Sequence, residues 1–287
     1  MKFVVQLNIN IISLIGKDIK SFLNGIITNS LIGKGVYTFL LSPKGRYLFD
    51  FFVHIVNEEL FYIEVNKNLS ESLIQKLSFY KLGKDIKVQD VTNDLVSLYA
   101  DQNIIDKFSV ISCIKDQRYF KMKNRFICKK SDLSNSGLSI TLDKDLYKKD
   151  KYSYTIPDGY IDMMKEKSII TEFGVNNLHA IDYSKGCFLG QELIARINSS
   201  KNRKKTIFKV ISENDYDLGM VKKLSQIFFA EVQVGYFCSG YKNLGIAICI
   251  SDVVLEYKKK FNNKKIFSIR DASGRKINVN LEKAEWI

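Results

Sequence analysis

The amino-acid sequence predicts an α+β protein in which a mixed region of helices and strands is followed by a small all-β domain. Three strand-like segments separated by short turns lie within residues 36–65. Helix-forming segments follow them in the middle of the chain, and from Thr206 onward the pattern is strand-like throughout. With 287 residues, the chain is long enough for two or three compact units.

The N-terminal segment is predicted to form a strand and then a short helix. Apolar and polar residues alternate through Val5–Ile11, which is typical of a strand with one buried face. Asp18 is of a residue type that caps helices, and Asn24-Gly25 predicts where the helix ends. No small-residue cleavage site follows the apolar start and no segment resembles a transmembrane helix, so we expect neither a signal peptide nor membrane association.

An antiparallel meander is predicted next. Its strands are Val36–Leu41, Tyr47–Val56 and Leu60–Val65, which turns of only a few residues connect. Ser70 is then expected to cap a helix that ends near Gly83. Further strands are predicted at Ile86–Val91, Leu95–Tyr99, Val110–Ile114 and Arg125–Cys128.

The middle of the chain is predicted to alternate between loops and helices. The polar segment Lys129–Gly137 is expected to be a loop and Asp143–Tyr152 a helix, while Ile156–Gly159 contains a Pro-Asp-Gly sequence that breaks the chain. A short helix is expected to begin near Gly190. The basic segment Ser199–Lys205 is predicted to be a solvated linker.

The predicted linker places a domain boundary at residue 200. We expect residues 1–200 to form a first region and residues 201–287 a small all-β domain. Within the second region, Gly235, Gly240 and Gly245 are expected to mark turns or bulges.

The composition restricts the classes of function. The chain carries 44 Lys and Arg against 31 Asp and Glu, a formal net charge of +13. Because the basic residues are scattered rather than arranged in a stripe, we expect no direct nucleic-acid binding. Five widely spaced cysteines without a Cys-x-x-Cys pair, together with two histidines, predict neither a disulfide framework nor a metal site. The compartment is expected to be a bacterial-type cytoplasm, or an organelle matrix after processing. Of the two, we predict a cytoplasmic localisation.

The segment Lys185–Glu192, KGCFLGQE, is the best candidate for chemistry. Its two glycines allow a sharp turn, on which Cys187 can project its sulfur into a cleft. Lys185 and the amides of the following helix favour a thiolate, and Gln191 and Glu192 can hydrogen-bond back to the turn. On composition alone, a buried structural cysteine is an equally good interpretation. The other four cysteines are expected to pack in the core: Cys113, Cys128 and Cys249 lie in apolar strand contexts, and Cys238 follows an aromatic pair in a glycine-rich stretch.

These eight residues are similar to the signature K-G-C-[FY]-x-G-Q-E of the YgfZ family, folate-binding proteins related to the T-protein (aminomethyltransferase) of the glycine cleavage system. Other segments resemble the family in the same order, so the likeness spans nearly the whole sequence. They are Asp18–Asn29, Leu41–Phe51 with its Pro-Lys-Gly-Arg turn, Asp116–Arg118 with Arg125 nearby, Ile156–Gly159, and Gly235–Ile248. Gln117 stands where the family usually has proline, and Lys123 where it has glycine.

The resemblance implies a fold and a role. The fold would consist of two intertwined mixed α/β subdomains, within 1–200, plus a C-terminal β-barrel, within 201–287, in a three-lobed ring around a central folate cavity. The role would be to support the assembly or repair of iron–sulfur proteins, including cluster-dependent tRNA-modifying enzymes. Tetrahydrofolate or a one-carbon derivative would be the cofactor, iron–sulfur client or assembly proteins the partners, and the chain a monomer.

The resemblance also assigns site residues. Cys187, with Lys185 beside it, would carry the function, whether the thiol attacks a bond, carries a group or ligates iron. Guanidinium groups suit folate carboxylates or pterin oxygens. The predicted cofactor contacts are Asp50, Arg118, Arg125, Gln191 and Glu192.

Two other functions compete with this one. Asp50 falls close to the strand aspartate that the T-protein uses near its folate, so a folate-dependent aminomethyltransferase is the alternative and would be an enzyme of one-carbon transfer. Asp50 could equally be an exposed carboxylate at a strand edge. An RNA-binding module using the +13 charge ranks last, because no motif places aromatic residues on a basic face.

Overall fold

The computed structural model describes residues 5–101, 109–135, 144–199, 205–261, 267–271 and 273–287. The strands are β1 (Val5–Gln6), β2 (Ile9–Ile15), β3 (Gly35–Leu41), β4 (Tyr47–Asn57), β5 (Leu60–Asn66), β6 (Lys87–Asp90), β7 (Leu95–Ala100), β8 (Ser112–Lys115), β9 (Asn124–Lys129), β10 (Lys205–Ser212), β11 (Gln226–Phe229), β12 (Val232–Tyr241), β13 (Leu244–Ile250), β14 (Phe267–Arg270) and β15 (Lys276–Lys283). The α-helices are α1 (Ile19–Ile26), α2 (Ser70–Tyr80), α3 (Lys130–Asn135), α4 (Lys144–Ser153), α5 (Gly159–Asp162), α6 (Gln191–Ser199) and α7 (Ser251–Lys260). Single 3-10 turns lie at Ile170–Phe173, Glu213–Asp215 and Leu218–Met220.

The chain forms two compact units. The first comprises Met1–Tyr147 with Leu178–Gln191, and the second comprises Lys148–Asn177 with Glu192–Ile287. Residues of the predicted region 1–200 therefore belong to both units. The predicted boundary and most of the predicted linker fall at 200–204, outside the described residues.

Two interleaved sheets build the first unit. One has the strand order β3-β4-β5-β2-β6 and the other β1-β7-β9-β8, with neighbouring strands antiparallel in both. The chain starts in the four-stranded sheet with β1, builds the five-stranded sheet with β2 to β6, and returns with β7. The interleaving of the two sheets along the chain agrees with the predicted intertwining, and the predicted meander of β3, β4 and β5 is confirmed.

The predicted N-terminal strand is interrupted. Gln6 in β1 pairs with Leu98 of β7, whereas Ile9 in β2 pairs with Asn66 of β5. The chain changes sheets between these two pairings, so one alternating sequence supplies two strands. Alternation in the sequence reports which face of a strand is buried and does not report which sheet the strand joins.

The core of the first unit lies on one face of the five-stranded sheet. Ile12 and Leu14 of β2 pack in a cluster with Leu23 of α1 and with Leu73 and Leu77 of α2, and each of these side chains is fully buried. Burying one such aliphatic side chain contributes about 1.5–3 kcal/mol. This packing fixes α1, whose last turn borders the candidate site described below.

Helix α1 extends further than predicted. It continues through Asn24-Gly25 and ends at Ile26, and Asp18 accepts a hydrogen bond from the Asp85 backbone N–H instead of capping the helix with its side chain. The apolar face of α1 is buried against the sheet, and this tertiary packing outweighs the helix-stopping tendency of Gly25.

The polar segment predicted as a loop contains a helix. Helix α3 forms within Lys129–Gly137 because Leu133 is buried in a cluster with Phe126 and Cys128 of β9. One apolar residue in a polar stretch is a weak signal in the sequence, so the prediction of a loop over residues 130–135 was wrong.

A closed barrel forms the core of the second unit. Its strand order is β10-β13-β12-β11-β14-β15, and each neighbouring pair is antiparallel. The predicted C-terminal β-barrel is confirmed. The expectation of strands throughout was wrong at α7, a helix between β13 and β14 whose Val254 packs into the barrel core.

The predicted glycine positions lie inside barrel strands rather than in turns. Gly235 of β12 faces β13 so closely that a Cβ atom there would lie 2.4 Å from the Ile248 carbonyl oxygen. A register shift between Phe237 and Ser239 of β12 confirms a bulge in this strand. Close approach of neighbouring strands therefore explains Gly235.

Among the described residues, no helix combines the length and apolar character needed to span a membrane.

Candidate functional site

The segment that carries Cys187 is anchored through Lys185. The Lys185 ammonium donates hydrogen bonds to the backbone carbonyls of Ile27 and Asn29, each at 2.8 Å. Burial of the Lys185 side chain lowers its pKa to about 8, and the Asp182 carboxylate opposes that shift. Lys185 therefore anchors the candidate segment to the connection between α1 and β3, and two of the three N–H groups of its ammonium form these hydrogen bonds.

The residues before Lys185 make a second set of bonds to the same connection. The Thr28 hydroxyl donates to the Ala180 carbonyl at 2.8 Å, and the Asp182 N–H donates to the Thr28 carbonyl at 3.0 Å. The Asn29 amide donates to the carbonyls of His179, at 2.7 Å, and Tyr37, at 3.0 Å. Asn29 thereby links the candidate segment to β3.

Gly190, near the end of the candidate segment, occupies a position where a side chain would not fit. Its φ is +79°, and a Cβ atom at this position would lie 2.5 Å from the Ser42 carbonyl oxygen. The Leu189 N–H donates to the Gly25 carbonyl at 3.2 Å, and the Leu189 side chain packs against the main core. By contrast, a Cβ atom at Gly186 would meet nothing within 4 Å, so the chain itself does not require a glycine there.

Cys187 is exposed, as the sequence predicts for a reactive thiol, while Cys128, Cys238 and Cys249 are buried and Cys113 is half-buried. Burial, with a contribution from Asp132, raises the pKa of Cys128 to about 12, and burial also raises the pKa of Cys113. Cys187 is therefore the one exposed cysteine among the five, all of which the structure describes. Its reactivity stays a prediction.

A small pocket of about 260 Å³ adjoins the thiol. It is lined by Asn24, Gly25, Ser30, Lys185, Gly186 and Cys187. Sites that enclose a cofactor-sized molecule usually measure about 300–1,000 Å³, so this pocket suits a small group or a side chain.

Arg118 and Arg125 lie in a buried cluster of ion pairs. Arg118 donates to Asp116 at 2.9 and 2.6 Å, and Arg125 donates to Glu64 at 2.8 Å. Arg125 also approaches Asp116 at 3.4 Å, so one carboxylate faces both guanidinium groups. Burial alone would raise the pKa of Asp116, but the two arginines outweigh it and hold that pKa below its ordinary value.

The pairing bears on the predicted role of these arginines. Both guanidinium groups are almost fully buried, and each is neutralised by a carboxylate of the same unit. A folate carboxylate would meet arginines whose charges are already paired within the protein. Direct contact of Arg118 and Arg125 with the cofactor stays a prediction, and their observed partners are carboxylates of the protein itself.

Asp50 belongs to the same neighbourhood. It lies in β4 between two other strands and is buried rather than exposed at a strand edge. Its carboxylate accepts hydrogen bonds from the hydroxyls of Tyr37 and Tyr47, both at 2.9 Å. The Arg118 guanidinium lies 4.9 Å from the Tyr37 ring, so Asp50 and Arg118 flank one tyrosine.

The predicted site residues thus form two groups in the first unit. Asp50, Arg118 and Arg125 belong to the buried polar cluster, and Lys185 and Cys187 to the pocket. The Gln191 side chain accepts a hydrogen bond from the Phe188 N–H at 3.4 Å, within the candidate segment. Glu192 is exposed and is the first residue of the second segment of the second unit. Cofactor contacts by Gln191 and Glu192 stay predictions.

The counterions of the buried cluster and the residues that anchor the candidate segment were not predicted from the sequence. Asp116, two residues before Arg118, and Glu64, a lone carboxylate in the apolar strand β5, are the counterions of the buried cluster. Asp182 and Ser184 form an Asp-x-Ser turn, which is a recognisable local signal. The role of Asn29 depends on contacts distant in sequence and has no local signature.

Comparisons with known proteins identify distant relatives. No family model matches the chain. The mitochondrial iron-sulfur cluster assembly factor IBA57 homolog of Pyricularia oryzae is 22% identical over 275 residues, covering 86% of this chain and 71% of that protein. The homolog of Mycosarcoma maydis is 23% identical over 210 residues, covering 65% of this chain and 51% of that protein. The factor of Mus musculus is 22% identical over 269 residues, covering 83% and 75%.

These relatives overturn one expectation. All three are mitochondrial by name, so the predicted cytoplasmic localisation is wrong. The chain spans about half the length of the Mycosarcoma maydis protein and about three quarters of the mouse protein.

A solved structure has the same fold. The glycine cleavage system aminomethyltransferase T from Bartonella henselae superposes with a TM-score of 0.70 over 99% of this chain and 86% of that chain, at 11% identity. The predicted fold class, a mixed α/β region with a C-terminal barrel as in the T-protein fold, is confirmed. At this identity the likeness concerns the fold alone.

Proposed function

We propose that this protein is a tetrahydrofolate-binding accessory factor in the assembly or repair of iron–sulfur proteins, and that Cys187 is its functional thiol. The observation that carries the proposal is the exposed cysteine on a segment anchored by Lys185. The names of the relatives support the iron–sulfur role and a mitochondrial setting. Clients would include cluster-dependent tRNA-modifying enzymes.

The anchored geometry suits a thiol that meets a macromolecular partner. A segment tied down at Lys185 and at Leu189 holds Cys187 between two fixed points, so a partner meets it without first ordering the chain. Gly186 leaves open space beside the sulfur-bearing residue, which permits close approach of another backbone. We therefore assign the pocket to a protruding group of a client or assembly protein.

The buried cluster in the first unit is our candidate for contacting tetrahydrofolate. A carboxylate can accept hydrogen bonds from the N–H groups of a pterin, and Asp50 offers one beside aromatic rings. Asp50 would therefore hold the cofactor, with the paired Arg118 and Arg125 beside it. When bound, tetrahydrofolate would supply a carrier for one-carbon units.

Calorimetry with tetrahydrofolate tests the cofactor. We expect measurable binding that weakens by about 1.5–3 kcal/mol in Asp50→Asn or Arg118→Ala, the range for a lost charge-assisted hydrogen bond. Thermal melts of each variant must accompany the titration, because Arg118 also pairs with Asp116. Absence of binding by the intact protein would refute the folate assignment, and an unchanged affinity in a folded variant would remove that residue from the site.

The alternative function is aminomethyl transfer, favoured by the fold and by the position of Asp50. An assay with lipoylated carrier protein and tetrahydrofolate separates the two functions. We expect no turnover. A rate of about 1 per second or more, in the ordinary enzymatic range, would replace the accessory role by the enzymatic one.

The iron–sulfur role is tested in cells. Client [4Fe–4S] enzymes should be purified from cells with and without this protein, and their iron and sulfide content measured. We expect lower occupancy in its absence at equal enzyme abundance. Equal occupancy would refute the role.

A further inference from the structure

Asp182 has a dense set of contacts that the proposed function leaves unexplained. Its Oδ1 atom accepts hydrogen bonds from the Ser184 N–H at 2.8 Å and from the Ser184 hydroxyl at 2.6 Å. Its Oδ2 atom accepts from the Ser30 hydroxyl, in the connection between α1 and β3. One carboxylate thus joins two segments that lie 152 residues apart in sequence.

These contacts act directly on the segment that carries the thiol. Ser184 immediately precedes Lys185, and Ser30 immediately follows Asn29, whose carbonyl accepts from Lys185. The Asp182 bridge and the Lys185 bridge therefore connect the same two segments side by side. Together they hold the chain from Asp182 to Lys185, which directly precedes Gly186 and Cys187, against the connection between α1 and β3.

We infer that Asp182 is a positioning residue for Cys187: its carboxylate holds Ser184 against Ser30 and thereby sets the direction in which the anchored segment presents the thiol beside its pocket. The inference rests on the proposed function in that it names the residue that orders the functional cysteine. Asp182 does not itself contact a reacting group.

The Asp182 carboxylate is ionised over the physiological pH range. Hydrogen bonds from Ser184 and Ser30 hold the pKa of Asp182 at about 2. The carboxylate therefore remains an acceptor for both hydroxyls at any pH at which the protein works. An asparagine has nearly the same shape but is neutral and offers one oxygen acceptor, so it cannot accept hydrogen bonds from Ser184 and Ser30 through two separate oxygens.

The second unit supplies a matched control. Asp271 accepts from the Ser273 N–H at 2.9 Å, from the Ser273 hydroxyl at 2.6 Å and from the Tyr216 hydroxyl at 2.9 Å. This is the same Asp-x-Ser turn with a third, distant hydroxyl. Substitution of Asp271 by Asn removes the same kind of contacts without touching the Cys187 segment.

The test measures the motion of a nitroxide spin label attached to Cys187 in the intact chain. A Cys113→Ser background prevents labelling of the half-buried thiol. We expect an immobilised spectrum in the parent and in Asp271→Asn, and a mobile component that becomes the major one in Asp182→Asn. Ser184→Ala, which keeps the charge and removes one hydroxyl, should give an intermediate spectrum.

The outcomes separate the inference from the proposed function. An immobilised spectrum in a folded Asp182→Asn variant overturns the inference, whatever the cellular result. If Asp182→Asn lowers the melting temperature more than Asp271→Asn does, the spectrum of Ser184→Ala is used in its place. An immobilised spectrum in Ser184→Ala then overturns the inference. The proposed function fails instead if client cluster content is unchanged in cells that lack the protein, and the spectra would still test the positioning role.

Discussion

Removing the charge of Asp116 tests the buried cluster most severely. Asp116 is fully buried and faces two guanidinium groups, Arg118 at 2.6 Å and Arg125 at 3.4 Å. Asp116→Asn preserves the shape of the side chain but removes its negative charge. Arg118 then loses the negative charge 2.6 Å from its guanidinium, while Arg125 keeps its pair with Glu64.

The expected loss follows from burial. Breaking a buried ion pair by removing one partner costs about 3–5 kcal/mol, because an uncompensated charge remains in a site that water does not reach. The exposed pair of Lys123 and Asp101, at 3.0 Å, provides the matched control, since the Asp101 side chain is 63% exposed. Asp101→Asn should cost about 0–1 kcal/mol.

The effect of Asp116→Asn should also depend on pH. The arginines hold the folded pKa of Asp116 below its ordinary value, so the stabilisation is present above the unfolded pKa of about 3.9 and is lost as the pH falls through the folded pKa. The difference in unfolding free energy between the parent and Asp116→Asn should therefore be largest near neutral pH and shrink towards strongly acidic pH.

Urea denaturation followed by circular dichroism measures both quantities, with calorimetry to resolve the transitions of the two units. A loss below about 1 kcal/mol, or one equal to that of Asp101→Asn, would refute the account of a buried charge cluster. A difference that does not change with pH would show that the Asp116 carboxylate is not stabilised in the folded protein.

Two further predictions concern the candidate segment. Limited alkylation at neutral pH with peptide mass mapping should label Cys187 first, since burial raises the pKa of Cys128 to about 12; earlier labelling of Cys128 or Cys113 would contradict the assignment. Gly190→Ala should destabilise the first unit by more than about 1 kcal/mol, because φ is +79° and the new Cβ would lie 2.5 Å from a carbonyl oxygen. Gly186→Ala, with open space at the Cβ position, should stay within about 0.5 kcal/mol of the parent, and equal losses in chemical denaturation would contradict this steric reading.

Local patterns in the sequence predicted the architecture well where one face of an element is buried. The meander of β3, β4 and β5 follows from alternation and short turns, and the barrel strands follow from the same signal. Helix α7 was not predicted, because it lies between two strands and Val254 is its buried residue. One buried residue does not produce a helical pattern in the sequence.

The candidate site was predictable only in part. Cys187 and Lys185 were found because they lie within one contiguous signature. The pairing of Arg125 with Glu64 joins residues 61 positions apart, and that of Ser30 with Asp182 joins residues 152 apart. Such contacts depend on the packing of segments that are distant in sequence, which local spacing does not encode.

The central claim, that Cys187 is the functional thiol, is tested most directly by replacing it in cells. Cells lacking the protein should be complemented with the parent chain, with Cys187→Ser, or with Cys113→Ser as a control that removes a half-buried thiol. Purified [4Fe–4S] client enzymes are then assayed for iron and sulfide at equal abundance of each variant. We predict that Cys187→Ser leaves cluster content at the level of the deletion, with a melting temperature close to the parent, while Cys113→Ser restores it. Full restoration by Cys187→Ser would contradict the claim.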